Sequence, residues 1–498
     1  PKKTENSIQK IMKPTPVTVI LFLSLFLCFL TGNASTHPRL SVYSYTPTDG
    51  LRSNEVYSVS VRASGSDEWQ SVPVWDCEVD MHHRSTAAFA QFDMEGTVEV
   101  RVKLEKPATM AADTLPPTLR PASRGIDCTI GDGGTEMLFT LCEPGYFSVE
   151  FGGDRHHNLH LFANPMLKET YTGNEPGCIN WNGGGKQQDV FVKDANLIYF
   201  APGVHRPKDL PGEDIRIPSN CTVFLAPGSV VQARLIVDHA ENVRIVGRGI
   251  LDHPLRGIEV THSRNVLIDG ITVLNPRHYT VFGGASSNVT VRNLKSFSAG
   301  SWTDGIDLMS CHDADIENVF LRTSDDCLAF YCHRWWYWGD SYGINVRKAV
   351  LWCDFAHPVN IGTHGDDRCE EGEELHHVNI SDCDILRNTG DGMLAINCGD
   401  KNRIHHITFS DIRMEGIERG RITDMRVVHG AYNRAPGNYI DQVEFSDIKV
   451  REESAAHILP SRIHDYDGEH GVGDYKFRNV YYGSRLHDSA ADEDRQRK

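Results

Sequence analysis

From Arg39 to about Pro165 apolar and polar residues alternate in short runs, as in Glu55-Val56-Tyr57-Ser58-Val59-Ser60-Val61 and Thr97-Val98-Glu99-Val100-Arg101-Val102. Alternation with a period of two marks a strand with one buried face. No helical period runs long enough to compete. Residues 35–180 therefore predict a β-sandwich, interrupted by the proline-rich stretch Leu115 to Pro121 and resumed at Tyr146–Phe151 and Leu159–Pro165.

Beyond residue 190 the texture becomes a repeat. Asn242-Val243-Arg244-Ile245, Asn265-Val266-Leu267-Ile268 and Asn288-Val289-Thr290-Val291 recur at 265 − 242 = 23 and 288 − 265 = 23 residues. Later copies stand at Asp313-Ala314-Asp315-Ile316, His377-Val378-Asn379-Ile380, His406-Ile407-Thr408-Phe409 and Gln442-Val443-Glu444-Phe445. Such a step, with short β runs and Asn/Gly turns, belongs to a solenoid whose coils bury their apolar faces on one another. The leucine-rich and WD signatures are absent. The fold class is thus all-β, a right-handed parallel β-helix over 181–475 behind the N-terminal β-sandwich. A tail of 476–498 follows, whose charged end Asp488–Lys498 is expected to fray.

Ahead of both, Lys13, the apolar run Val17–Leu30 and Thr31-Gly32-Asn33-Ala34 follow the order of a secretory signal, set at 12–34 with the mature chain starting near Ser35. The 14 apolar residues of that run fall short of a membrane span, so no integral span is expected in the mature chain. The residues before Met12 are excluded from the fold, and the destination is secreted or periplasmic. A formal charge of 50 − 67 = −17 argues against a nucleic-acid partner. Removing Cys28 leaves 13 − 1 = 12 cysteines, with no CxxC pair and no zinc pattern. Buried thiols and a few bridges are both compatible with those spacings. No metal or cofactor is expected, and a monomer is.

Two acidic clusters carry the chemistry: Trp302-Thr303-Asp304-Gly305-Ile306-Asp307 and Thr323-Ser324-Asp325-Asp326-Cys327. Asp304 and Asp325 are 325 − 304 = 21 residues apart, close to one coil, so both fall on one face of adjacent turns. Stacked carboxylates repel, which raises at least one pKa and retains a proton for acid catalysis. An isolated Asp-Asp would more often cap a turn. The combination of Asp304-Gly305-Ile306-Asp307 with Asp325-Asp326-Cys327 resembles the signature of the pectinase-like β-helix hydrolases, the polygalacturonase and dextranase/isopullulanase families. Ile198–Val204 and Val223–Ser229 are similar to the first coils of those enzymes.

That resemblance implies an inverting glycoside hydrolase acting on a polysaccharide or oligosaccharide. Asp325 would be the general acid, with Asp304 and Asp326 holding the water; exchange of roles between Asp325 and Asp326 stays open. Inversion sets acid and base roughly 6.5 to 9.5 Å apart. His364, in Gly362-Thr363-His364-Gly365, resembles the histidine that supports the acid, although it lies farther along the chain than the family's spacing. Trp335, Trp336 and Trp338 offer indoles for stacking on sugar faces. Asp307, Trp302, Asn397 and Lys401 complete the candidate substrate contacts.

Polygalacturonases carry an Arg-x-Lys pair that reads the uronate. The matching segment here, Gly392–Asn397, places Leu394 and Ile396 at those positions. Asp366, Asp367, Glu370, Glu371, Glu373 and Glu374 add negative charge nearby. The dextranase/isopullulanase family lacks the pair and has an N-terminal sandwich, so the reading leans to a neutral α-glucan such as dextran or pullulan. Arg347, Lys348, Arg368, Lys401 or Arg403 would have to supply a cation for an acidic, pectic glycan. A lyase and a noncatalytic carbohydrate-binding β-helix are the competing classes.

Overall fold

The computed structural model describes residues 38–106, 115–181, 195–206 and 214–497. The expected export signal, 12–34, lies outside the described residues. The N-terminal strands form two sheets, one of Gln70–Val72, Tyr57–Ala63, Val98–Leu104, Glu136–Leu141 and Cys128–Gly131, all antiparallel. Its strands keep the period of two because only one face is buried: Val59, Val61, Val100 and Val102 point into the sandwich core. The other sheet joins Arg39–Val42, Val74–Val79, Ser85–Glu95, Leu159–Pro165, Gly145–Glu150 and Thr118–Arg120. There alternation is lost, and Gly145–Glu150 is buried throughout. Its second face carries Trp75, Phe89, Tyr146 and Phe162 against Phe297, Phe320, Trp352 and Leu386 of the solenoid. Phe162 meets Phe320 with centroids 5.0 Å apart.

One polar tie crosses this apolar contact. Arg322, fully buried, pairs with buried Asp354 at 3.1 Å and donates to Asn158 at 2.8 Å. Removing one member of such a pair costs about 3–5 kcal/mol.

The solenoid is a right-handed parallel β-helix. Parallel pairing begins at Cys178–Trp181 with Leu197–Phe200. Each coil contributes three strands, for example Arg264–Asp269, Thr272–Leu274 and Val281–Gly284. Asn242, Asn265 and Asn288 occupy one equivalent position at φ 57, 56 and 51°, followed by Asp313, Gly343, His377, His406 and Gln442. Every coil needs a left-handed residue there, which Asn, Asp, His and Gly accept at least cost. The side chains stack as a ladder, Asn265 Nδ2 donating to Asn242 Oδ1 at 2.6 Å. The inward positions fill one continuous core.

The charged end departs from the expectation of fraying. Asp488 caps the turn Ser489–Asp492, and Glu493–Gln496 adds a parallel strand to Ser461–His464. Arg485 anchors the segment by a fork on Asp492 at 2.7 and 2.8 Å. Cys311, Cys327, Cys332, Cys353, Cys383 and Cys398 are buried free thiols. Among the described residues no helix is long and apolar enough to cross a membrane.

Candidate active site

Strands Ile306–Met309, Leu328–Tyr331 and Val359–Gly362 stack in register in the 12-stranded sheet. Ile306, Leu308, Leu328, Phe330, Val359 and Ile361 enter the core. The alternate positions face outward, giving the row Phe282, Asp307, Ala329, Asn360, Ala395 and Asp424 across successive coils. Just before the strands, Gly305 N–H donates to Asp326 O at 2.8 Å and Cys327 N–H to His357 O at 2.9 Å. That pairing stacks Asp304, Asp326 and His357. Gly305 is required by the close approach, since a Cβ there would lie 2.2 Å from the Cys327 oxygen.

Asp304, Asp325 and Asp326 bring carboxylate oxygens within 4.8 Å of one another. That is closer than the acid and base separation expected for inversion. It is also a distance that one water, hydrogen-bonded at about 2.8 Å to each of two oxygens, can bridge. Asp325 is the partly exposed member. Its Oδ2 accepts from Trp302 N–H at 3.2 Å and its Oδ1 from Asp326 N–H at 3.0 Å. Burial and the adjacent Asp326 push its carboxyl up to about 6. Asp304 and Asp307 are buried and rise well above the ordinary carboxylate range, through desolvation first. Asp304 Oδ1 and both Asp307 oxygens have no hydrogen-bond partner.

Asp326 is the tethered member. Its Oδ1 accepts from His357 N–H at 3.0 Å and faces His357 Nδ1 at 2.8 Å, while Oδ2 accepts from Asn360 Nδ2 at 2.7 Å. Burial alone would depress the imidazole, but the Asp326 carboxylate outweighs it and holds His357 above its ordinary value. The three carboxylates are close enough to hold a cation. Their raised acidities fit a trio that shares a proton instead.

His364 is not the histidine of this site. Its ring packs edge-on against Tyr331 at 5.1 Å, and burial, with Arg334 and His333 nearby, pushes it down to about 3. His357 stands where His364 was expected. The Arg-x-Lys positions also move by one residue: Leu394 and Ile396 point into the core, and Ala395 and Asn397 face outward. Neither outward residue is a cation. Asn397 donates to Asn360 Oδ1 at 3.2 Å and accepts from Arg426 at 3.1 Å. Lys401 lies in the following turn, its N–H bound to Pro436 O at 2.8 Å.

The tryptophans divide. Trp302 is 53% exposed beside Asp325, and Trp336 is 76% exposed. Trp335 lies over Tyr279 with centroids 6.1 Å apart, and Trp338 stacks on His333 at 3.4 Å. Their loop folds back over the sheet: a Cβ on Gly284 would meet the Tyr337 ring at 2.6 Å. Glu373 fastens it by accepting from the N–H groups of His333, Gly339 and Asp366 at 2.8, 2.7 and 3.0 Å. The same loop brings Arg334 over the rings of Tyr331 and Trp335 at 5.4 and 4.9 Å. Its charge opposes the upward shift of Asp307. Sequence reasoning missed His357, Asn360 and Arg334.

Residues 218–461 match the family described as Glycosyl hydrolases family 28. A probable endopolygalacturonase D from Neosartorya fischeri is 22% identical over 43% of this chain and 41% of its own length. An exopolygalacturonase from Arabidopsis thaliana is 26% identical over 39% of this chain and 43% of its own. The chain thus spans less than half the length of these curated relatives. In fold it is similar to Dex49A from Penicillium minioluteum, with a TM-score of 0.54 at 14% identity, over 89% of this chain and 100% of that one. By sequence and by fold, the chain is of the pectinase-like β-helix hydrolase type, with its family resemblance to glycosyl hydrolases family 28.

Proposed function

We propose that this protein is a secreted glycoside hydrolase that cleaves a polysaccharide with inversion at the anomeric carbon. Asp325, protonated up to about pH 6 and partly exposed, donates its proton to the glycosidic oxygen as the bond to the anomeric carbon breaks. A water held between Asp304 and Asp326 attacks from the opposite face and gives its proton to that pair. His357 and Asn360 keep Asp326 aimed at the water. The observation that carries the reading is the division of labour among adjacent carboxyls. One is raised and reachable, one is tethered by three donor contacts, and one has an unpartnered oxygen facing them.

For the substrate, Ala395 and Asn397 at the two outward positions support a neutral glycan, an α-glucan such as dextran or pullulan. Arg334 favours a second reading, because a guanidinium held over the groove by Tyr331 and Trp335 suits the carboxylate of a pectic chain. Incubating the purified protein with neutral and uronic polysaccharides, and reading new reducing ends and product sizes, tests both. Cleavage of dextran or pullulan alone supports the first reading, cleavage of polygalacturonate alone the second. No cleavage across the panel overturns the enzymatic assignment.

A further inference from the structure

The N-terminal sandwich reaches the catalytic turns. Its turn Asp80–Arg84 leaves the strand Val74–Val79 with Asp80 at φ 59°. Asp80 Oδ1 accepts from the N–H groups of His82 and His83, both at 3.0 Å. Asp80 is itself buried, 3.6 Å from buried Arg387 of the solenoid, which lies 3.4 Å from Asp354. Met81 N–H then donates to Ser324 Oγ at 3.0 Å, one residue before the proposed acid. Ser301 Oγ stands 3.8 Å from the Met81 sulfur, and the His82 ring meets Phe355 edge-on at 4.5 Å.

Around that contact the surface is unusual for a domain junction. Trp302 and Phe355 remain 53% and 43% exposed, and His82, His83 and Arg84 are exposed beside them. Trp302 adopts φ 61°, a region that bulky residues avoid unless something holds them there. Its N–H holds Asp325 Oδ2, so the indole is fixed relative to the proton donor. Aromatic faces beside ring nitrogens and a guanidinium suit a sugar, which offers apolar C–H faces and hydroxyls at its rim.

We propose that the Asp80–Arg84 turn, with Trp302 and Phe355, forms a sugar-binding subsite next to Asp325, so that the sandwich is part of the substrate groove. The inference rests on the hydrolase reading above and extends it to the turns on the far side of the acid from the Trp335–Trp338 loop. Its occupant is a ring of the same polysaccharide chain that spans the carboxylates.

The test compares wild type with Phe355→Ala, His82→Ala and Phe355→Trp. Each is measured for KM and kcat on the cleaved polysaccharide, for retardation in gels containing it, and for Tm. The subsite predicts a KM at least fivefold higher and weaker retardation in the two alanine variants. Phe355→Trp should restore both, and the change should fall on KM more than on kcat. A lowered Tm with KM and retardation unchanged means that Phe355 and His82 are interface packing, and overturns the proposal. Retardation needs no cleavage. A wild type that is retarded but inactive would sink the hydrolase reading alone, with the subsite still judged by the variants. A wild type that neither binds nor cleaves overturns both.

Discussion

The His357 imidazole stands 2.8 Å from Asp326 Oδ1 through Nδ1, and the backbone N–H of the same residue reaches that oxygen at 3.0 Å. Two contacts from one residue on one oxygen fix the direction of the carboxylate as well as its charge. Replacing His357 by Ala is expected to lower kcat by about 100-fold, at the lower end of general acid–base contributions. A pH series of Tm checks the same contact. The pKa of His357 is raised in the fold, so its stabilising effect is complete below the unfolded value of about 6.5 and disappears as pH rises through the folded value. The Tm gap between wild type and His357→Gln should therefore be widest in mild acid and close in alkali.

Asp325 must carry a proton to act. With its carboxyl at about 6, kcat/KM should fall as pH rises through that value. Asp325→Asn should lower turnover by at least about a thousandfold while leaving the circular dichroism spectrum unchanged. Near-normal turnover in that variant would remove Asp325 from the mechanism.

Asp307 is buried with neither oxygen bonded, and its carboxyl is raised. A raised acid contributes stability that is full below the unfolded pKa of about 3.9 and declines as pH climbs toward the folded value. Asp307→Asn removes the decline. The variant should melt above wild type at pH 7 and level with it below about pH 4, with reduced activity at both.

The oxygens of the trio lie within 4.8 Å of one another, nearer the roughly 5 to 5.5 Å of a double-displacement pair than the spacing of an inverting one. Proton NMR of the first anomer released separates the two outcomes. The bridging-water arrangement predicts inverted configuration. A retained anomer would make one of the carboxylates a nucleophile.

Arg334→Ala discriminates the substrate readings. If a neutral chain is bound, kcat/KM on that chain should change less than threefold. If Arg334 pairs with a uronate, kcat/KM on the acidic chain should fall by about 10- to 100-fold, as for loss of a charge-assisted contact worth about 1.5–3 kcal/mol.

The repeat was legible because every coil imposes the same demand at one position, a left-handed residue met by Asn242, Asn265 and Asn288 in turn. The stacked aspartates followed from the same spacing: Ile306 pairs with Leu328, a step of 22 residues. The histidine was misplaced because the next step is longer. Leu328 pairs with Val359, 31 residues on, so the Cys332–Asp340 loop adds 31 − 22 = 9 residues that no local pattern announces. Aligning His357-Pro358-Val359-Asn360-Ile361-Gly362 by its apolar positions would have recovered His357. The shift from Leu394 and Ile396 to Ala395 and Asn397 has a related cause. Gly392–Cys398 is buried at every position, so composition cannot say which residues face inward. Arg334 was invisible because loop folding alone brings it over the groove.

The strand Glu493–Gln496 has a consequence beyond closing the last coil. A parallel solenoid ends in a row of open peptide groups, which is a template for another chain to pair with. Here the end strand reads Glu-Asp-Arg-Gln and is held in place by the fork of Arg485 on Asp492. Adjacent charges of both signs make that rim a poor partner for a second copy, so its loss would turn a self-limited molecule into one prone to end-to-end association.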